Sequence, residues 1–174
     1  LSEIYEKDFS NNKRLERTRD LFLVGCYTGL RFSDFSQLKP EHFKEGEITI
    51  RTQKTNETVV IPIHPIVKNI LEKYSHTAKG LPRPLSNQKM NEYLKEIGKA
   101  VEIDEKILRT KTKGGLRAQT TVSKFDLMTT HTARRSFATN LYLSGFPSIS
   151  IMKITGHKTE KAFMSYIRIS QEEN

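Results

Sequence analysis

Apolar residues are concentrated in one stretch of the first third of the chain. Residues 1 to 14 are polar, and Asn11-Asn12-Lys13-Arg14 reads as a loop. From Leu15 to Tyr27, the positions Leu21, Phe22, Val24 and Cys26 predict a largely buried helix that Gly29 ends. Ser33 is a candidate cap for a second short helix, with Phe35 and Leu38 inward and Pro40 as its stop. The period then shortens to two. Glu47-Ile48-Thr49-Ile50-Arg51-Thr52 alternates, and Thr58-Val59-Val60-Ile61 follows a polar turn, which predicts a β-hairpin. Pro62 and Pro65 close it, and Ile66, Val67, Ile70 and Leu71 form the stripe of the next helix. Leu81-Pro82-Arg83-Pro84 is a rigid connector, and Ser86 caps a helix running to about Val101. Residues 107 to 125 are basic around Gly114-Gly115 and fit either a flexible loop or a second small hairpin. Three helices finish the chain, near 131–144, 148–154 and 159–169, broken by Gly145-Phe146-Pro147 and Thr155-Gly156-His157. In the first of them Phe137, Leu141 and Leu143 form the inward side; in the last, Ala162, Phe163 and Ile167 do. The sum is a single α+β domain, mainly α-helical, with one small sheet and no internal repeat.

Composition narrows the classes. Hydrophobic residues make up 36% and charged residues 28% of the 174, the balance of a folded globular domain rather than a disordered chain. The longest apolar run, Leu21 to Cys26, is far too short to cross a membrane. A net charge of +9 suits a polyanionic partner, most simply nucleic acid, although a basic surface serving only solubility has the same charge. The single cysteine, Cys26, excludes an internal disulfide and fits a reducing cytoplasm; nothing basic beside it would activate it. The chain opens at Leu1 without an initiator methionine or signal-peptide pattern, and is expected to be a fragment of a longer protein.

The chemistry is concentrated towards the end. His131 and Arg134 are three apart at a helix start and share a face, either as a ligand-directed pair or as part of a solvated helix surface. Gly156 allows a turn from which His157 projects, and Tyr166 follows on the last helix. Each has an ordinary alternative, a surface-turn histidine and a half-buried tyrosine. Upstream, Arg31 directly follows the Thr28-Gly29-Leu30 helix terminus, where a guanidinium fork suits phosphate oxygens. Asp34 is expected to orient that guanidinium, and Arg135 to face elsewhere. Lys54 lies in the hairpin turn. The sequence has neither a metal-spaced Asp/Glu/His cluster nor a Walker glycine loop, so neither metal nor cofactor is expected.

Taken in order, these residues resemble the catalytic domain of the tyrosine recombinases of the phage-integrase family. Thr28-Gly29-Leu30-Arg31-Phe32-Ser33-Asp34 is similar to the family's helix-loop motif, and Lys54 to its hairpin lysine. His131-Thr132-Ala133-Arg134 is similar to the His-x-x-Arg box, Gly156-His157 to the Gly-His turn, and Tyr166 to the nucleophile. The stretch Thr132 to Asn140 resembles integrases of Bacteroides-type mobile elements in particular. Thr155 departs from the family, where leucine is common, and is expected to change packing more than chemistry.

The resemblance implies residues 1–174 are a catalytic domain with a small hairpin or sheet at one edge, the N-terminal core-binding domain being absent. It implies double-stranded DNA as partner, a homotetramer on DNA for the full-length protein, a monomer for the fragment, and a cytoplasmic setting without membrane contact. By the same resemblance Tyr166 attacks a scissile phosphate to form a 3′-phosphotyrosyl bond. His131 takes its proton, Lys54 protonates the departing 5′-oxygen, and Arg31, Arg134 and His157 hold the phosphate. The basic run Lys111 to Arg117 is either a DNA-backbone clamp or a solvated loop. A type IB topoisomerase and a non-catalytic DNA-binding regulator are the competing readings.

Overall fold

The computed structural model describes residues 1–78, 80–113 and 116–167, the side chains of 111–113 and 116–118 excepted. Its axis is α2 (Lys13–Thr28), apolar enough on several faces to be enclosed. Asn12 starts this helix by accepting the Leu15 N–H at 3.2 Å. Around it pack α1 (Ser2–Glu6), α4 (Pro65–Lys73), α5 (Asn87–Ala100) and α6 (Thr130–Leu143). Leu21, Phe22, Leu23 and Val24 meet Val67, Ile70, Met90, Leu94 and Ile97 in the main core. The buried Asp20 carboxylate ties α2 to α4, reaching Lys73 Nζ at 2.7 Å and the Tyr74 hydroxyl at 2.9 Å. A smaller core of Phe137, Ala138, Ile151, Met152, Phe163 and Ile167 joins the end of α6 to α7 (Ser148–Thr155) and α8 (Glu160–Ile167).

At the end of α2 the backbone turns left-handed at Gly29 (φ 66°), whose N–H bonds the Gly25 carbonyl at 3.0 Å. A Cβ at Gly29 would overlap the Phe137 ring of α6. Strained φ and steric overlap add, so Gly29→Ala is expected to lower unfolding free energy by about 3 kcal/mol, read from chemical denaturation. After Gly29 only the buried Leu30 and then Arg31 intervene before the chain re-enters a helix, α3 (Phe32–Phe35). The cap position therefore falls on extended Arg31, and Ser33, the expected cap, lies inside the helix.

The predicted hairpin is present as β2 (Glu47–Arg51) and β3 (Thr58–Pro62), antiparallel with Ile48 opposite Ile61 and Ile50 opposite Val59. All four point into the protein, as the alternation requires. A two-residue strand, β1 (Phe43–Lys44), extends this sheet and is too short for periodicity to reveal. The basic stretch forms a hairpin rather than a loop: β4 (Lys106–Lys113) pairs with β5 (Leu116–Ser123) from Lys106 opposite Ser123 to Lys113 opposite Leu116. The fold is thus mainly helical α+β, with two small antiparallel sheets among the described residues instead of one. Two inward expectations fail. Leu143 and Ala162 are exposed, because the second core is filled by Phe137 from α6 and by Phe163 and Ile167 from α8. Among the described residues, no helix is long and apolar enough to cross a membrane.

Candidate active site

α6 is fixed at its start by α5. The Thr130 N–H donates to Asn91 Oδ1 and the Thr130 hydroxyl to Asn87 Oδ1, both at 2.8 Å. This sets the direction in which His131 and Arg134 leave the first turn. Nothing in the sequence pattern marked Asn87 or Asn91 for this task. Arg134 is 4% exposed, and its Nη1 donates to the Gly29 carbonyl at 2.5 Å, while Nη2 has no hydrogen-bond partner among the described residues. One arm of the guanidinium anchors and the other is left for an anion. Burial and then the neighbouring Arg31 push its pKa down to about 10, so it stays charged at neutral pH.

Arg31, Lys54, His131 and Arg134 rim one cleft of about 430 Å³, with Ser33, Asn87 and Thr130 also on its wall. Lys54 reaches it because the turn carrying it is docked on α3. The Gln53 N–H donates to Asp34 Oδ1 at 2.9 Å, and Gln53 Nε2 to the Ser33 carbonyl at 3.2 Å. Asp34 was expected to orient Arg31; its buried carboxylate instead holds the hairpin turn. Arg31 stands against the other turn of the site, its Nη2 3.6 Å from where a Cβ on Gly156 would be. Gly156 is itself left-handed (φ 62°) and ends α7.

Tyr166 lies between the two histidines, its ring centroid 4.6 Å from that of His157 and 5.2 Å from that of His131. Its hydroxyl is buried without a hydrogen-bond partner among the described residues. Burial raises its pKa against the opposing pull of Arg134, Arg135 and Arg31, so the surrounding cations do not by themselves yield phenolate. The phenol needs a proton acceptor, and both imidazoles qualify. Burial lowers the pKa of each, reinforced by Arg135, Arg134 and Arg31 for His131, and by Arg134, Arg31 and His131 for His157. Arg135 does not face elsewhere, since its guanidinium sits 5.8 Å over the Tyr166 ring. Thr155 also belongs to the site. Fully buried, its hydroxyl lies 2.8 Å from His157 Nδ1, so its effect is not confined to packing.

The geometry therefore gathers all six sequence candidates. Arg31, Lys54, His131 and Arg134 line the cleft; His157 and Tyr166 join through the ring contacts and the Arg31–Gly156 approach. Two guanidiniums, an ammonium, two neutral imidazoles and a protonated phenol suit an anionic, tetrahedral reactant such as a phosphodiester. Cys26 takes no part, its thiol buried and its pKa raised by that burial. The side chains of Lys111, Lys113 and Arg117, the candidate clamp, lie outside the described residues.

A family model described as the phage integrase family matches residues 2–173. Tyrosine recombinase XerC of Rickettsia canadensis (strain McKiel) is 26% identical over 168 residues, covering 94% of this chain and 51% of the relative. The crystal structure of XerA recombinase superposes with a TM-score of 0.69 at 16% identity, covering 99% of this chain and 57% of that one. A lambda integrase dimer bound to a COC′ core site gives 0.65 at 20% identity, covering 96% and 56% respectively. At these identities the structural likeness establishes the fold. The chain spans about half the length of the curated relative it matches.

Proposed function

Given that this chain belongs to the phage integrase family, we propose that it is the catalytic domain of a tyrosine recombinase that cuts and rejoins double-stranded DNA, with Tyr166 as nucleophile. The observation that carries this reading is a buried phenol, without a hydrogen-bond partner among the described residues, between two neutral imidazoles and beside a cleft rimmed by Arg31, Lys54 and Arg134. The Tyr166 oxygen attacks the scissile phosphorus and passes its proton to His131. The phosphorus–5′-oxygen bond breaks, Lys54 gives that oxygen a proton, and a 3′-phosphotyrosyl ester remains. Arg31, the free arm of Arg134 and His157 hold the non-bridging oxygens and offset the charge of the pentacoordinate state. The ester conserves the bond energy, so a second 5′-hydroxyl reverses the step on another strand.

In the full-length protein the reaction is integration or excision of a mobile element, carried out in the cytoplasm by a tetramer on DNA; the fragment alone is a monomer. The Bacteroides-type affiliation rests on the stretch Thr132 to Asn140. The reading is tested by incubating the protein with a labelled attachment-site duplex nicked beside the scissile phosphate. An SDS-stable, protease-sensitive adduct followed by strand exchange supports it. Relaxation of supercoils without exchange assigns the chain to type IB topoisomerase chemistry, and binding without any adduct makes it a regulator.

The role of Lys54 has its own test. Lys54→Ala is expected to slow cleavage about 10²–10³-fold, the usual contribution of a general acid. A 5′-bridging sulfur, which leaves without a proton, is expected to restore most of that rate. Absence of rescue moves the general acid to another residue.

A further inference from the structure

The Thr155 hydroxyl makes two short contacts, with the Ile151 carbonyl and with His157 Nδ1, each at 2.8 Å. It has one proton to give. A carbonyl can only accept, so both contacts are satisfied together when the hydroxyl donates to Ile151 and Nδ1–H donates to the hydroxyl. Thr155 is fully buried and ends α7, so the hydroxyl has no freedom to turn away. The backbone holds the ring from the other side of the turn, the His157 N–H bonding the Met152 carbonyl at 3.1 Å across left-handed Gly156.

We propose that Thr155 is a positioning residue for His157, fixing the ring with Nδ1 protonated and leaving Nε2, on the far edge from Thr155, as the nitrogen available to the site. This rests on the recombinase reading only for its consequence. In neutral His157 the available nitrogen then carries a lone pair and no proton. It can hydrogen-bond to a phosphate oxygen only after taking a proton from solvent as the anion enters, as an imidazolium that donates from both nitrogens. The groups facing it are Arg31 before α3, His131 and Arg134 on α6, and Tyr166 on α8, with Arg135 beyond, over the Tyr166 ring, while its neighbour Lys158 is paired with Glu57 at 3.6 Å. Burial, reinforced by Arg134, Arg31 and His131, keeps the ring neutral until an anion enters, so His157 gains its proton with the phosphate rather than before it.

Long-range ¹H–¹⁵N spectra of the histidine side chains in the free 174-residue protein test the assignment, with His157→Asn identifying the resonance. The expected pattern is the Nδ1–H tautomer in the wild type, retained in Thr155→Ser and lost to a mixture or to Nε2–H in Thr155→Val. An Nε2–H pattern in the wild type overturns the proposal without any DNA. For the consequence, single-turnover adduct formation is expected to fall about 10-fold in Thr155→Val and to recover in Thr155→Ser, as for other partners that orient an imidazole. An unchanged rate and tautomer in Thr155→Val also overturn the proposal. The Nδ1–H pattern with no adduct from the wild type supports the pinned ring and counts against the recombinase reading instead.

Discussion

Tyr166→Phe is expected to abolish the covalent protein–DNA adduct while leaving non-covalent DNA binding within about two-fold, since Tyr166 has no charge to contribute to phosphate attraction. The substitution removes one oxygen atom. Among the described residues that oxygen has no hydrogen-bond partner, so its loss strands no donor or acceptor there. The ring stays where the imidazoles of His131 and His157 pack against it. Stability should therefore hold or rise slightly, and the loss of adduct cannot be ascribed to unfolding. The measurement is SDS gel analysis of a nicked, labelled duplex beside a mobility-shift titration of the same DNA. Persistence of the adduct in the Phe variant would remove Tyr166 from the mechanism. Of the six tyrosines, it is the one whose ring touches both histidines of the site.

Arg134→Met is expected to reduce cleavage about 10³-fold, the scale set by removing one donor aimed at a developing oxyanion. It is also expected to leave the protein as resistant to denaturant as the wild type, or more so. The sign follows from the pKa. Burial and Arg31 depress it towards 10, which means folding disfavours the charged guanidinium relative to water, and an uncharged stem of similar length escapes that penalty. The Gly29 carbonyl loses its side-chain donor, which offsets part of the gain. A variant that loses rate and midpoint together would mean Arg134 acts chiefly as a strut. Single-turnover kinetics and a urea titration of the same preparation separate the two outcomes.

How much of this was legible depends on the range of each interaction. Arg31 could be found because a Gly-ended helix marks the backbone it leaves from, and Tyr166 because its order after His131, Arg134 and His157 is unusual. Both signals are local or ordinal. Asp34 was misassigned because its partner, the Gln53 N–H, lies nineteen positions away in a turn whose docking no periodicity encodes. Arg135 was misassigned because helical spacing gives the direction of a Cβ, and a long guanidinium can still fold back over a ring on α8. Thr155 was read as a packing change because leucine is its usual counterpart. Its hydroxyl acquires meaning only when left-handed Gly156 brings His157 back over the end of α7. The basic stretch stayed ambiguous because its hairpin exposes most of its described side chains, leaving little of the apolar alternation that betrays a half-buried strand.

The two cores have different owners in the chemistry. Arg31 and Lys54 stand on elements of the large core, and His131 and Arg134 leave the turn of α6 that packs against it through Ala133. His157 follows α7 and Tyr166 rides on α8; the small core of these helices begins one turn later at Phe137, with Ile154 of α7 touching the large core as well. Local opening free energy scales with the apolar contacts a segment must give up, so the segment bearing Tyr166 and His157 is expected to open at lower cost than the elements bearing Arg31, Lys54, His131 and Arg134. On the proposed mechanism such an opening withdraws the nucleophile together with the His157 contact, and Arg31 and Arg134 are the part of the phosphate grip that stays behind.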